Sequence, residues 1–214
     1  MDSERRLYTN SEIAAFREEH PRIYGEPASY AENLTSKDLS NMKGNFGEMV
    51  IGNILNLIAC ETEEFYVFHS VGLPLTLAGE TDHVVVYRDK IILIETKAFS
   101  GYSSLRTSKA GTLWGTKRGS NRVVTIEDNH LNQKISLFQQ RFDNRNVTGV
   151  LAAVRDGIDT TSASSVYKVA SLDNFFSFIK NEIETAKPIK ESSWPAIKFF
   201  AMLCIGKREY PQAK

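Results

Sequence analysis

The stretch Gly79-Glu80-Thr81-Asp82-His83-Val84-Val85-Val86-Tyr87-Arg88-Asp89-Lys90-Ile91-Ile92-Leu93-Ile94-Glu95-Thr96-Lys97 decides the fold. It reads as two apolar strands joined by a short polar turn at Arg88-Asp89. From Ile91 onward the odd positions Ile91, Leu93, Glu95 and Lys97 share one side, and Ile92, Ile94 and Thr96 share the other. Apolar residues on both sides describe a central strand covered by helices on both faces. Asp82, Glu95 and Lys97 lie at the ends away from the turn. Ionisable groups at the mouth of an otherwise apolar sheet make a candidate site.

Geometry gives that reading a test. If Tyr87 pairs with Lys90 around Arg88-Asp89, Asp82 falls opposite Glu95, and opposed residues of an antiparallel pair share a face. A slip of one residue sends Asp82 to the Thr96 side instead. The turn lacks the favoured Asn-Gly or Asp-Gly pair, so its own sequence does not secure the register. Two carboxylates suit a hard divalent cation, Mg2+ or Mn2+, bound through oxygen ligands and water. Such an ion polarises a phosphoryl oxygen and yields a hydroxide near neutral pH. Asp82 and Glu95 are the metal ligands on this reading. Lys97 orients the water and stabilises developing charge, because two neighbouring anions favour its ammonium form. As a bare pattern, Asp followed by Glu-x-Lys is more often a surface ion pair on a strand. Its position after Ile91-Ile92-Leu93-Ile94 is what singles it out.

Outward from the hairpin, Thr9-Asn10-Ser11-Glu12 resembles a capping box for a short helix to about Glu19, within an N-terminal extension over 1–35. A long helix is expected from Ser36-Lys37-Asp38 to about Cys60, with Leu39, Met42, Phe46, Met49, Val50, Ile54, Leu57 and Ile58 as its apolar stripe. Gly44, Glu48 and Gly52 share one face of it, as suits a carboxylate on a helix whose backbone packs close to a sheet. The plain alternative is an exposed glutamate.

Phe65 to Val71 reads as a further strand. The segment 101–122 reads as a loop interrupted by glycine, serine and threonine. It carries Arg106, Lys109, Lys117, Arg118 and Arg122, no acid, and the aromatics Tyr102 and Trp114. With Lys43 these cations are candidate nucleic-acid contacts, since cations neutralise phosphate and aromatics stack on bases. A helix to about Phe142, a buried strand over 147–154, an edge strand over 165–170 and an amphipathic helix over 172–185 follow. The stripe of that last helix is Phe175, Phe176, Ile179 and Ile183. His20, His69 and His130 read as isolated, and His83 points to the face opposite Asp82. The main domain spans 36–187, and 188–214 form a tail packing on it.

The helix, three strands, helix, strand order predicts an α/β domain with a mixed sheet, because the hairpin is antiparallel. Lys+Arg and Asp+Glu are both 26 in the 214 residues, so nucleic-acid binding must come from a local basic surface. Two cysteines without metal-ligand spacing argue against a disulfide framework or zinc site and suit a reducing cytoplasm. No stretch is long enough to span a bilayer.

Five blocks in order resemble the nuclease-related domain (NERD) family: Lys43-Gly44-Asn45-Phe46-Gly47-Glu48, Val71-Gly72-Leu73-Pro74, Gly79-Glu80-Thr81-Asp82-His83, Ile94-Glu95-Thr96-Lys97 and Asn129-His130-Leu131-Asn132-Gln133. In the last, His130 stands where the family usually has proline. The resemblance covers about residues 40 to 155 and implies a branch of the PD-(D/E)xK nuclease superfamily. That brings a restriction-endonuclease-like mixed central sheet flanked by helices, an αβββαβ core. It implies metal ligands at Asp82 and Glu95 with the Thr96 carbonyl, and Lys97 as active-site lysine. Glu48 becomes a helix-borne acid and candidate further ligand, and Gln133 a polar residue facing the site. The expected activity is Mg2+- or Mn2+-dependent phosphodiester hydrolysis in nucleic acid, DNA ahead of RNA, with a homodimer if both strands of a duplex are cut together. The alternatives are a silent nucleic-acid-binding module of the same fold and a structural or partner-binding domain.

Overall fold

The computed structural model describes residues 22–27, 39–72, 80–126, 130–155, 157–162, 167–189 and 193–204, with the side chains of 39–45, 130, 162 and 194 outside the description. The expected helix over 9–19, the helix start at 36–38, the Lys43, Gly44 and His130 side chains, and the tail beyond 204 therefore lie outside the described residues. The elements run β1 (Ile23–Tyr24), α1 (Leu39–Glu61), β2 (Tyr66–Gly72), β3 (Glu80–Tyr87), β4 (Lys90–Lys97), β5 (Tyr102–Thr107), β6 (Leu113–Lys117) and β7 (Val123–Ile126). There follow α2 (His130–Arg141), β8 (Asn146–Ala153), β9 (Asp159–Ser162), β10 (Tyr167–Ser171), α3 (Leu172–Thr185) and α4 (Trp194–Leu203).

Six strands form a mixed sheet in the order β1-β2-β3-β4-β8-β10. β3 is antiparallel to both β2 and β4, while β4, β8 and β10 run parallel. Tyr87 pairs with Lys90, as the hairpin reading requires, and the ladder runs to His83 against Ile94. Arg88 adopts a positive φ of 47° to make the turn. The register is held from outside: Arg145 Nη1 donates to the Arg88 carbonyl, the Asp89 N–H to Lys187 O at 3.2 Å, and the Lys187 N–H to Asp89 Oδ1 at 2.7 Å.

Both faces of the sheet are covered, as the two-sided apolarity of β4 demands. Val84, Val86, Ile91 and Leu93 pack with Leu131, Ile135 and Phe138 of α2 and with Ala196, Ile197 and Phe200 of α4. Val85, Ile92 and Ile94 pack with Ile51 and Leu55 of α1 and with Phe175 and Ile179 of α3. Each such buried side chain contributes roughly 1.5–3 kcal/mol. Across this second face, Lys90 Nζ bonds Glu182 of α3 at 3.0 Å.

The α1 stripe differs from the one expected. Ile51, Leu55, Ile58 and Ala59 are buried, whereas Phe46 and Leu57 are among the exposed large apolar residues. The close approach expected of its glycines is present: a Cβ at Gly52 would sit 2.7 Å from Pro27 and 3.3 Å from the His83 ring. Phe176 of α3 is likewise exposed, leaving Phe175 and Ile179 as the buried pair.

The segment 101–122 is not a loop. β5 and β6 pair antiparallel, β7 adds to β6, and β9 adds parallel to β5, giving a second sheet in the order β7-β6-β5-β9. Leu105, Thr107, Leu113 and Gly115 are buried while Arg106 between them is exposed. Glycine, serine and threonine hid a period of two that is nonetheless present.

At the edge of the main sheet Gly25 has φ +73°, and a Cβ there would lie 2.4 Å from the His69 carbonyl oxygen. Gly25→Ala is expected to cost about 1–3 kcal/mol from backbone strain, before the clash is added. Urea unfolding measures it; an unchanged midpoint would contradict the close approach.

Candidate active site

Beyond His83 against Ile94 the β3–β4 backbone ladder stops, and a side chain takes over. Asp82 Oδ2 accepts from the Thr96 N–H at 2.6 Å and from the Thr96 hydroxyl at 2.7 Å. Asp82 is thus locked to β4 through Thr96: although the register as far as His83 against Ile94 is the unslipped one, the carboxylate closes on the Thr96 hydroxyl, where the strands no longer exchange backbone hydrogen bonds. Glu95 is partly buried on β4, and Lys97 is exposed at its end. Glu48 is partly buried on α1.

These groups act on one another electrostatically. Burial pushes the Glu48 carboxyl up to about 7, assisted by Asp82 and Glu80 and opposed by Lys97. Burial likewise pushes Glu95 up to about 7, with Asp82 raising it further and Lys134 and Lys97 opposing. Asp82 acts on both acids, and so does Lys97. Glu48 and Glu95 are therefore poorly solvated acids within electrostatic reach of Asp82 and Lys97.

Gln133 is exposed on α2. Its neighbour Lys134 is 3% exposed, and its Nζ donates to Glu95 Oε1 and to the Glu80 carbonyl, the latter at 2.6 Å. Sequence reasoning missed this lysine. The only available signal was its position in an i, i+3, i+4 relation to the buried Leu131, Ile135 and Phe138.

The histidines also need correction. His69 and His83 are cross-strand partners, both fully buried, with their Nδ1 atoms 2.8 Å apart. His69 Nε2 lies 2.8 Å from Asn56 Oδ1 on α1. An amide oxygen only accepts, so Nε2 carries the proton of a neutral His69. Its Nδ1 then accepts from His83 Nδ1–H. Burial lowers the His83 pKa to about 4, which keeps it neutral. This chain ties α1 to β2 and β3 one residue from Asp82.

The residues were tested against a divalent cation by their donors. Among the described residues no three of His, Cys, Asp and Glu are gathered as a ready-made cage. Mg2+ does not need one, because it binds through one or two carboxylates and keeps several waters. Asp82 and Glu95 are hard oxygen donors, and the repulsion by which Asp82 raises Glu95 is one that a cation would relieve. Three buried polar atoms without a hydrogen-bond partner among the described residues, Thr81 Oγ1, His83 Nε2 and Asn132 Oδ1, belong to residues within two positions of Asp82 or Lys134. The donor set fits.

The raised carboxyls set a pH dependence. Between the ordinary value of 4.5 and about 7 the folded protein holds protons that the unfolded chain has released. That stabilisation is full at low pH and lost as pH rises through 7, where a bound cation would take the place of the protons. Mn2+ should therefore raise Tm more at pH 8 than at pH 6, with affinity about tenfold weaker at pH 6 for each of these carboxylates that ligates. Equal shifts in a thermal melt would contradict it.

The cations predicted for nucleic acid sit on the second sheet. Arg106, Lys109, Lys117, Arg118 and Arg122 are all exposed, and Lys117 Nζ lies 4.8 Å from the centre of the Tyr102 ring. Trp114 is half-buried and faces Arg106 across the β5–β6 pair. β5 starts five residues after Lys97, and the β5–β6 turn meets α2, where a Cβ at Gly111 would lie 2.9 Å from the Asn132 amide. No helix among the described residues is long and apolar enough to cross a membrane.

A family model described as the nuclease-related domain matches residues 43–154, just over half of the chain. Neither the curated proteins nor the solved structures contain a match.

Proposed function

Because the chain belongs to the nuclease-related domain family, we propose that it is a metal-dependent nuclease acting on nucleic acid, DNA ahead of RNA, with a restriction-endonuclease-like core. The observation that carries this reading is the Asp82 carboxylate bound to Thr96 beside the partly buried Glu95 at the open end of β3 and β4, with Glu48 and Lys97 within electrostatic reach. Asp82 and Glu95 would hold Mg2+ or Mn2+, with the Thr96 carbonyl and Glu48 as further donors. The ion would supply Lewis-acid polarisation and a hydroxide near neutral pH. Thr96 fixes the Asp82 carboxylate through two hydrogen bonds. Lys97 orients the attacking water and meets the charge that grows on the phosphoryl oxygens. Arg106, Lys109, Lys117, Arg118 and Arg122 hold the phosphate backbone beside the acids, with Lys43 as a further contact. Cutting both duplex strands together would need two copies of the chain, a point for sedimentation in the presence of DNA.

A second reading, a nucleic-acid-binding module that no longer cuts, is favoured by the Lys134 ammonium already paired with Glu95. Incubation with linear, circular and single-stranded DNA and with RNA, each with Mn2+ or EDTA, separates the two. The nuclease reading predicts fragments with Mn2+ and none with EDTA. Salt-sensitive binding without fragments would establish the silent module, and no binding would refute both.

A further inference from the structure

Lys134 is the feature that neither the expected site nor the family blocks account for. A lysine almost never lies 3% exposed unless its charge is answered. Here the answer is Glu95, the carboxylate a cation would need. The ammonium therefore stands against the same oxygen, Glu95 Oε1, from the α2 side. Its second bond, to the Glu80 carbonyl, fixes it to β3 independently of Glu95. Burial of the pair makes each partner's loss costly, because an uncompensated buried charge is left behind.

We propose that Lys134 is a built-in counter-cation that competes with the divalent ion for Glu95, a positioning residue that sets how much metal the site requires. This rests on the nuclease reading of the same site. Without metal, Lys134 neutralises Glu95 and holds α2 against the β3–β4 end. With metal, Glu95 turns to the ion while Lys134 stays tethered by the Glu80 carbonyl. The pair then works as a threshold: metal affinity is lower than the carboxylates alone would give, and the acids never stand as uncompensated neighbours. Among the described residues the hydrogen bonds of Asp82 run to Thr96, with no cation among them. The competition is thus centred on Glu95.

The test is Mn2+ binding, followed by the electron paramagnetic resonance signal of unbound Mn2+ at pH 8, for the wild type, Lys134→Met and Lys134→Arg. Removing one positive charge within contact distance of a ligand should tighten Mn2+ binding by about tenfold or more in Lys134→Met, and Lys134→Arg should stay near the wild type. Melting with and without Mn2+ checks folding: Lys134→Met should be less stable without the ion and recover more of its Tm with it. If Lys134→Met does not fold, the wild type alone decides the matter. A slowly exchanging lysine ammonium signal in nitrogen-15 NMR should shift when Mg2+ saturates the protein. Unchanged or weaker Mn2+ binding in a folded Lys134→Met overturns the proposal, as does an ammonium signal indifferent to Mg2+. If the wild type binds Mn2+ and cuts DNA in those cases, only the role of Lys134 falls. If no protein binds Mn2+, the metal reading of the site falls with it.

Discussion

Lys97→Ala is expected to slow Mn2+-dependent cleavage by roughly a hundredfold to a thousandfold, the loss typical of removing one preorganised group that meets transition-state charge. Lys97 is exposed at the end of β4, so stability should change by no more than about 0.5 kcal/mol. The ammonium lowers the pKa of both Glu48 and Glu95. Its loss should therefore also shift the pH profile of any residual cleavage upward, because those acids ionise later. Single-turnover cleavage of a labelled duplex across pH 6 to 9 measures both effects. Cleavage at the wild-type rate would remove Lys97 from the site and place any activity elsewhere on the chain.

The largest stability effect is expected at Phe200. It is fully buried, and its ring centre lies 5.7 Å from Phe68, 5.2 Å from Phe138, 5.8 Å from Phe142 and 5.3 Å from Phe199. Phe200→Ala removes the residue through which α4 joins β2 and α2, and a large aromatic deleted from a core costs about 3–5 kcal/mol. Equilibrium unfolding in urea should show the lower midpoint with an unchanged slope. A loss below about 1 kcal/mol would mean that α4 adds little to the domain.

What the sequence disclosed follows from the range of the forces involved. The β3–β4 hairpin was legible because alternation and two-sided apolarity are local signals. The Tyr87–Lys90 pairing was the register on which the site depended but one the turn did not secure, and the structure adopts it. What holds that pairing was not legible, since Arg145 and Lys187 reach the turn from distant positions. The apolar periodicity of α1 was visible, yet the buried side centres on Ile51 and Leu55 while Leu57 is exposed. A helix rich in apolar residues and glycine defines its inner side only through what packs on it.

The second sheet was hidden for the opposite reason. Ser103, Ser104, Thr107 and Thr112 look like loop residues by composition, although Leu105 and Leu113 enter the core. Within the site, Asp82, Glu95 and Lys97 could be read from strand spacing, whereas Lys134 could not. A lysine beside Gln133 on an amphipathic helix looks like solvent-facing charge until its carboxylate partner from another element is seen. The His69–His83 pair was hidden in the same way, since only the β2–β3 register makes the two rings neighbours.

The central claim is that the open end of β3 and β4 holds a divalent cation. Anomalous diffraction from crystals of the wild type soaked in Mn2+ at pH 8 tests it most directly. An anomalous peak bound by the carboxylates of Asp82 and Glu95 is expected. Saturating Mn2+ with no peak there, or with the only peak away from both acids, would contradict it.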